Sequence, residues 1–235
     1  MISTQPLALA QEWAPQLLVA AGQTLRMAVF AYVLGAVAGL LIAFGGMSRR
    51  RGLPTLCRVY IEFIRGTPTL TQLFLIYFGL ASVNIVIPGF EAAVIALGMH
   101  YAAYMAEIYR SGISAVDRGQ HEAAQGIGMT RAQTMRYIIL PQSVRVVLPP
   151  MVNSAISLLK DTSVASLIAA PELMMRANDI TSEYYMPMQV YLITGAMYFV
   201  MAYPLSLAAR RLERLTGKSR KIRTDLASLD PVQAG

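Results

Sequence analysis

From Leu17 to Gly46 the chain is apolar except for Gln23, Thr24 and Arg26, and no other stretch restricts the fold as severely. A helix rises about 1.5 Å per residue, so roughly 20 residues cross the ~30 Å hydrocarbon core of a bilayer. This run is long enough to span. Four further runs, at about 54–80, 90–112, 148–170 and 187–209, have the same character. In hydrocarbon every backbone N–H and C=O must find its partner within the segment, which selects helices for such runs. With 55% hydrophobic and 14% charged residues over 235 positions and a mean hydropathy of +0.48, the chain is too apolar for an ordinary soluble domain. It reads as an all-α membrane protein with five transmembrane helices.

The formal net charge of +7 would suit a nucleic-acid partner if the basic residues lay on one face. Instead they alternate between connections. Arg49, Arg50 and Arg51 follow the first run, and Arg118, Arg131, Arg136 and Arg145 lie between the third and fourth. Arg210, Arg211, Arg214, Lys218, Arg220, Lys221 and Arg223 follow the fifth. The connection closed by Pro88-Gly89 has no Lys or Arg, and the next sets Glu172, Asp179 and Glu183 against Arg176. Basic loops stay in the cytoplasm, so the N-terminus (1–16) is expected outside and the basic tail (216–235) inside. Met1 to Ala14 is rich in turn formers and polar residues, and the last dozen residues read as frayed. No Lys or Arg precedes Arg26, so the basic region of a cleaved signal peptide is missing and no processing is expected. Cys57, the single cysteine, has no disulfide or metal partner and reads as packing. Gly35 and Gly39 have the spacing that lets two helices approach closely, or are simply tolerated in a membrane helix.

The third connection has signals of its own. Asp117 followed by Gln120 is a helix-start pattern, and Thr130 with Gln133 repeats it. A helix is therefore expected from about Arg118, a turn at Gly126 and Gly128 where φ can be positive, and a second helix from Arg131 that stops at Pro141. The first helix carries Glu122 beside Ala123 and Ala124, whose small side chains would let another surface come close.

Glu122-Ala123-Ala124, three residues, Gly128, nine residues, then Ile138, Leu140 and Pro141 resembles the cytoplasmic loop of the permease subunits of ABC importers. The resemblance implies a type I importer permease fold over 17–215, with 117–141 as a coupling-helix hairpin seated in a cleft of the ATPase subunit. Glu62-Phe63-Ile64-Arg65-Gly66-Thr67-Pro68, Gln72-Leu73-Phe74, Ala103-Tyr104-Met105-Ala106-Glu107 and Leu159-Lys160-Asp161-Thr162-Ser163 are similar to the polar amino-acid branch of that family. That implies a bacterial inner-membrane protein carrying a polar amino acid, or a derivative such as an opine. It also implies two cytoplasmic ATPase subunits, a second permease subunit (identical or homologous), a periplasmic binding protein, and no cofactor. Family members that carry cationic amino acids often have an acid where this chain has Ser154, and an asparagine is common where it has His100.

Three runs are polar or broken near mid-depth. Thr67 and Pro68 put a helix breaker in the second run, His100 lies in the third, and Asn153, Ser154 and Ser157 lie in the fourth. These groups either line a substrate path or hydrogen-bond between helices.

An enzyme would need a nucleotide loop or a catalytic constellation. Thr216-Gly217-Lys218-Ser219 lacks the leading glycine of a phosphate loop, which is Leu212 here, and follows a helix rather than a strand. ATP hydrolysis is therefore expected in another chain. An ion-coupled secondary transporter with Lys160 and Asp161 as a proton relay is the alternative. It would have no use for a hairpin shaped to fit a cytoplasmic partner.

Overall fold

A computed structural model describes residues 5–48 and 50–227, with side chains for 12–48 and 50–215. Of the last dozen residues, expected to be frayed, 224–227 continue the final helix, while 228–235 and the basic side chains beyond Leu215 lie outside the described residues. Every regular element among the described residues is helical: α1 (Gln5–Gly46), α2 (Leu53–Gly66), α3 (Thr69–Ser82), α4 (Gly89–Ser114), α5 (Arg118–Gly126), α6 (Arg131–Gln133), a π-helical stretch (Thr134–Ile139), α7 (Leu140–Asp161), a 3₁₀ stretch (Thr162–Ile168), α8 (Leu173–Tyr184) and α9 (Pro187–Ala227). They form two compact units, Met1–Glu107 with Ser154–Tyr203, and Ile108–Asn153 with Pro204–Gly235.

In the first unit α1 is longer than its apolar run. The helix is already formed at Gln5, where turn formers led us to expect irregular chain. From Trp13 onward, tertiary packing holds this helix. Trp13, Leu17, Ala20 and Ala21 bury a face against Leu173, Ala177 and Ile180 of α8 and Val190 of α9, and Trp13 meets Tyr184 edge-on at 5.4 Å. Helix α8 fills the connection between the fourth and fifth runs, where a loop is expected. Its start is fixed by Glu172, which accepts from the backbone N–H groups of Met174 (2.8 Å) and Met175 (2.6 Å) and from the Tyr198 hydroxyl (2.7 Å). Thr24 Oγ1 accepts from the Leu173 N–H at 3.0 Å, tying α1 to the same corner. Glu172 is 1% exposed, and burial pushes its carboxyl above the usual range while these hydrogen bonds pull it down.

Further along α1, Gly39 makes the close approach its spacing suggested. A Cβ at Gly39 would stand 2.5 Å from Met105 Cβ and 2.8 Å from the Ala102 carbonyl oxygen of α4. The two helices touch there through backbone. The opposite face of α1 is apolar and open, with Leu18, Val19, Val29, Phe30, Val37 and Leu41 all exposed. Such bands are too large for a water-facing surface and suit an apolar surround.

Two expected spans are not single helices. The second is α2 and α3, parted at Thr67-Pro68, where Pro68 has no N–H to continue the ladder and forces the residue before it into extended backbone, φ −117° and ψ 144°. The fourth is α7 tightening into the 3₁₀ stretch. The hydroxyls of Thr162, Ser163 and Ser166 donate to the carbonyls three residues back, of Leu159 (2.8 Å), Lys160 (2.7 Å) and Ser163 (2.7 Å), and so compete with the α-helical ladder. Two described segments, Glu12–Gly46 and Pro187–Leu215, are long and apolar enough to cross a membrane on their own, with mean hydropathy 2.4 and 1.5.

The second unit holds the hairpin. The expected stop at Pro141 is not observed, because the helical path continues from α6 through the π stretch into α7. The π turn absorbs the proline: the Leu140 N–H reaches back to the Met135 carbonyl, five residues earlier. The widened turn accommodates the ring and the missing N–H that would otherwise break the ladder.

Candidate functional site

The α2–α3 break gathers polar groups inside the first unit. Thr67 Oγ1 donates to the Phe63 carbonyl at 2.9 Å. Gln72, one turn into α3, turns its amide back across the break and donates to the carbonyls of Ile64 (2.7 Å) and Thr67 (3.1 Å) and to Thr67 Oγ1 (2.8 Å). These bonds serve carbonyls that lose their intrahelical donors when α2 ends. His100 of α4 stands on the far side. Its Nδ1 is 3.0 Å from Gln72 Oε1 and its Nε2 is 3.3 Å from Thr69 Oγ1.

Aromatic rings extend the cluster. The His100 ring centre lies 5.4 Å from that of Tyr101 and 5.1 Å from that of Tyr104, and the Arg65 guanidinium sits 5.5 Å above the Tyr104 ring. Tyr101 donates its hydroxyl to Asp161 Oδ2 at 2.7 Å, with Ser157 beside the same hydroxyl. A guanidinium, a carboxylate, hydroxyls and an amide thus surround one helix break. Such a set can satisfy both ends of a zwitterion, whose ammonium and carboxylate each lose water on entering.

Of the residues expected on the path, Thr67, Pro68, His100 and Ser157 belong to this neighbourhood, and Ser154 lies one turn before Ser157 on α7. Asn153 is held elsewhere: it lies in the second unit and donates to Glu213 Oε1 of α9 at 3.3 Å. The sequence reading places neither Gln72 nor Tyr101 on the path, and it gives Asp161 a part only as half of a proton relay in the ion-coupled alternative. One available signal was Gln72 four residues after Pro68, in reach of the orphan carbonyls that the proline creates.

The hairpin follows its capping signals closely. Asp117 Oδ1 accepts from the Gly119 N–H at 2.7 Å. At the other end of α5, the Met129 N–H reaches the Ala124 carbonyl and the Gly128 N–H reaches that of Gln125, both at 3.0 Å, with Gly128 at φ 78°. This is how a helix closes on a left-handed residue. Gly126 has no positive φ and ends α5 as an ordinary helical residue. Both bonds of the second cap are present: Thr130 Oγ1 accepts from the Gln133 N–H (3.3 Å), and Gln133 Oε1 accepts from the Thr130 N–H (2.8 Å). Glu122 and Ala123 are exposed, but Ala124, expected beside them on a docking face, turns inward and is 3% exposed. Ile138 is half-buried, Leu140 and Pro141 are exposed, and Ile127 at the tip is 78% exposed.

Comparison with known proteins gives a consistent result. Residues 14–218 match the family model described as binding-protein-dependent transport system inner membrane component. A probable amino-acid ABC transporter permease protein of Bacillus subtilis (strain 168), YckA, is 38% identical over 206 residues, covering 88% of this chain and 91% of its own length. The L-cystine transport system permease protein TcyB of the same organism is 38% identical over 200 residues, covering 83% of this chain and 86% of its own. Among solved structures, the crystal structure of an amino acid ABC transporter with histidines superposes with a TM-score of 0.85 at 39% identity, covering 91% of this chain and 99% of that one.

Proposed function

We infer, from the premise that this chain belongs to the family of binding-protein-dependent transport system inner membrane components, that it is the permease subunit of an ATP-driven importer of a polar amino acid. The observation that carries the substrate class is the polar cluster at the α2–α3 break, in a chain 39% identical over 91% of its length to a chain of an amino acid ABC transporter. Thr67, Pro68, Ser154 and Ser157 would line the path with Tyr101, Asp161 and Arg65, and His100 would stand behind them. Asn153 would contribute through its bond to Glu213.

In this reading the chain crosses the inner membrane five times, with the N-terminus periplasmic and the tail cytoplasmic. A second permease subunit, two ATPase subunits and a periplasmic binding protein complete the importer. The 117–141 hairpin would be the coupling element: Glu122, Ala123 and the exposed Ile127 would meet the ATPase, and the continuous helix through Ile138, Leu140 and Pro141 would pass its motion into α7. Both of its helices are capped, which supports movement as a rigid body.

The test is uptake of amino acids by vesicles holding the permease, its ATPase and its binding protein. Uptake should require ATP and the binding protein and resist an uncoupler. Uptake without ATP that collapses with the uncoupler would point instead to the ion-coupled reading. A reporter fused near Asn84 should read periplasmic, and reversal would refute the five-span topology.

A further inference from the structure

The break between α2 and α3 leaves carbonyls with no backbone donor, and in this chain a side chain supplies the donor. Gln72 Nε2 faces three oxygens, those of the Ile64 carbonyl, the Thr67 carbonyl and the Thr67 hydroxyl. Carbonyl oxygens only accept, and the Thr67 hydroxyl proton is given to the Phe63 carbonyl, so the amide nitrogen must point at the break. Gln72 Oε1 therefore points at His100. An amide oxygen also only accepts, so the His100 Nδ1 that lies 3.0 Å away must carry a hydrogen. In the neutral ring Nε2 is then an acceptor, matched by the Thr69 hydroxyl at 3.3 Å. With Gln72 6% and His100 7% exposed, water is a poor substitute for either bond.

We propose that His100 is a positioning residue of the transport path: as the Nδ1–H tautomer it holds the Gln72 amide across the α2–α3 break and thereby fixes the Thr67-Pro68 lining. This rests on reading the chain as an amino-acid permease, but it alters the part His100 plays in that reading. Both ring nitrogens are spent on the protein, so His100 does not bind the substrate carboxylate. Its effect on the substrate passes through Gln72.

The experiment uses the whole complex reconstituted in lipid. Leaving the Gln72 oxygen buried without a donor in His100→Leu should raise the KM for amino-acid uptake about tenfold, with the maximal rate nearly unchanged. His100→Asn, which keeps an N–H donor, should recover most of the loss. Because His100 acts through Gln72, the double variant His100→Leu/Gln72→Leu should be no worse than Gln72→Leu alone. An unchanged KM in His100→Leu, or effects that add in the double variant, would overturn the proposal. Nitrogen NMR on a complex assembled from histidine-labelled permease chain and unlabelled partners gives a readout that does not depend on transport, since His121 is the only other histidine of this chain and His121→Gln removes its signal. A hydrogen on Nδ1 is expected, and one on Nε2 of the neutral ring would overturn the clasp. If the wild-type complex took up no amino acid, the importer reading would fall while the NMR result still decided the clasp.

Discussion

Gly126 and Gly128 stand two residues apart at the tip of the hairpin, and a Cβ added at either meets nothing within 4 Å. Sterics cannot separate them, so any difference between their variants must come from backbone conformation. Gly128 sits at φ 78°, where a side chain costs about 1–2 kcal/mol. Gly126 is the last residue of α5, where alanine is favoured over glycine by about 0.5–1 kcal/mol. Gly128→Ala should therefore weaken the hairpin by about 1.5–3 kcal/mol relative to Gly126→Ala. Gly128→Asn should be milder, because asparagine tolerates the left-handed region, and Gly128→Val should be worst. Hydrogen exchange at the amides of Gly128 and Met129, whose bonds to Gln125 and Ala124 close α5, measures the opening directly. Co-purification of the ATPase and its stimulation by loaded binding protein measure the consequence. The expected order is Gly126→Ala like wild type, then Gly128→Asn, Gly128→Ala and Gly128→Val with rising loss. Equal damage from Gly126→Ala and Gly128→Ala, or a Gly128→Val protein that couples normally, would show that the left-handed turn is not what holds the proposed docking surface.

Gly39→Ala should lower the thermal stability of the solubilised permease, by about 1–3 kcal/mol as overpacking, because its Cβ must displace Met105 or the α4 backbone; Gly195→Ala on α9, with open space around it, is the control that should change little. Glu172 makes stability depend on pH. Its folded-state pKa is raised, so the folded protein holds its proton more tightly than the unfolded chain does, and stability is fullest below the ordinary carboxylate value and lost as pH rises through the folded one. The midpoint of thermal unfolding should fall as pH rises above the ordinary carboxylate range in wild type and fall less in Glu172→Gln, so identical pH profiles would remove Glu172 as the cause.

The sequence was most informative where one local rule acts alone. Asp117, Thr130 with Gln133, and Gly128 each announce a cap or a turn through their own chemistry, and each is found doing so. At Gly39 the sequence left a close approach and a merely tolerated glycine both open, and the contact with Met105 and Ala102, far along the chain, decides for the first. Legibility failed where distant contacts decide. The helix over residues before Ala14 is stabilised by burial of Trp13 and Leu17 on α8, and α8 itself went unseen because its apolar positions, Leu173, Ala177 and Ile180, are diluted by polar residues. Glu172 was visible as an acid in a loop, but not as the cap of that helix.

Pro141 and Pro68 show why a proline alone does not settle what the chain does next. Each removes an N–H from a helical ladder, and sequence reading assigned a break to both. At Pro68 the residue before it is extended, and the freed carbonyls turn to side chains, Thr67 and Gln72, with His100 behind them. The helix ends and a polar cluster results. At Pro141 the preceding turn widens to π geometry, Leu140 bonds five residues back to Met135, and the helix runs on. The difference lies in what can serve the orphaned groups: a glutamine one turn later in the first case, an adjustable ladder in the second. It also separates their roles in the proposed importer. There, a break with side-chain donors would make a place where a substrate can be met, whereas an unbroken helix through Pro141 would carry movement of the hairpin into α7.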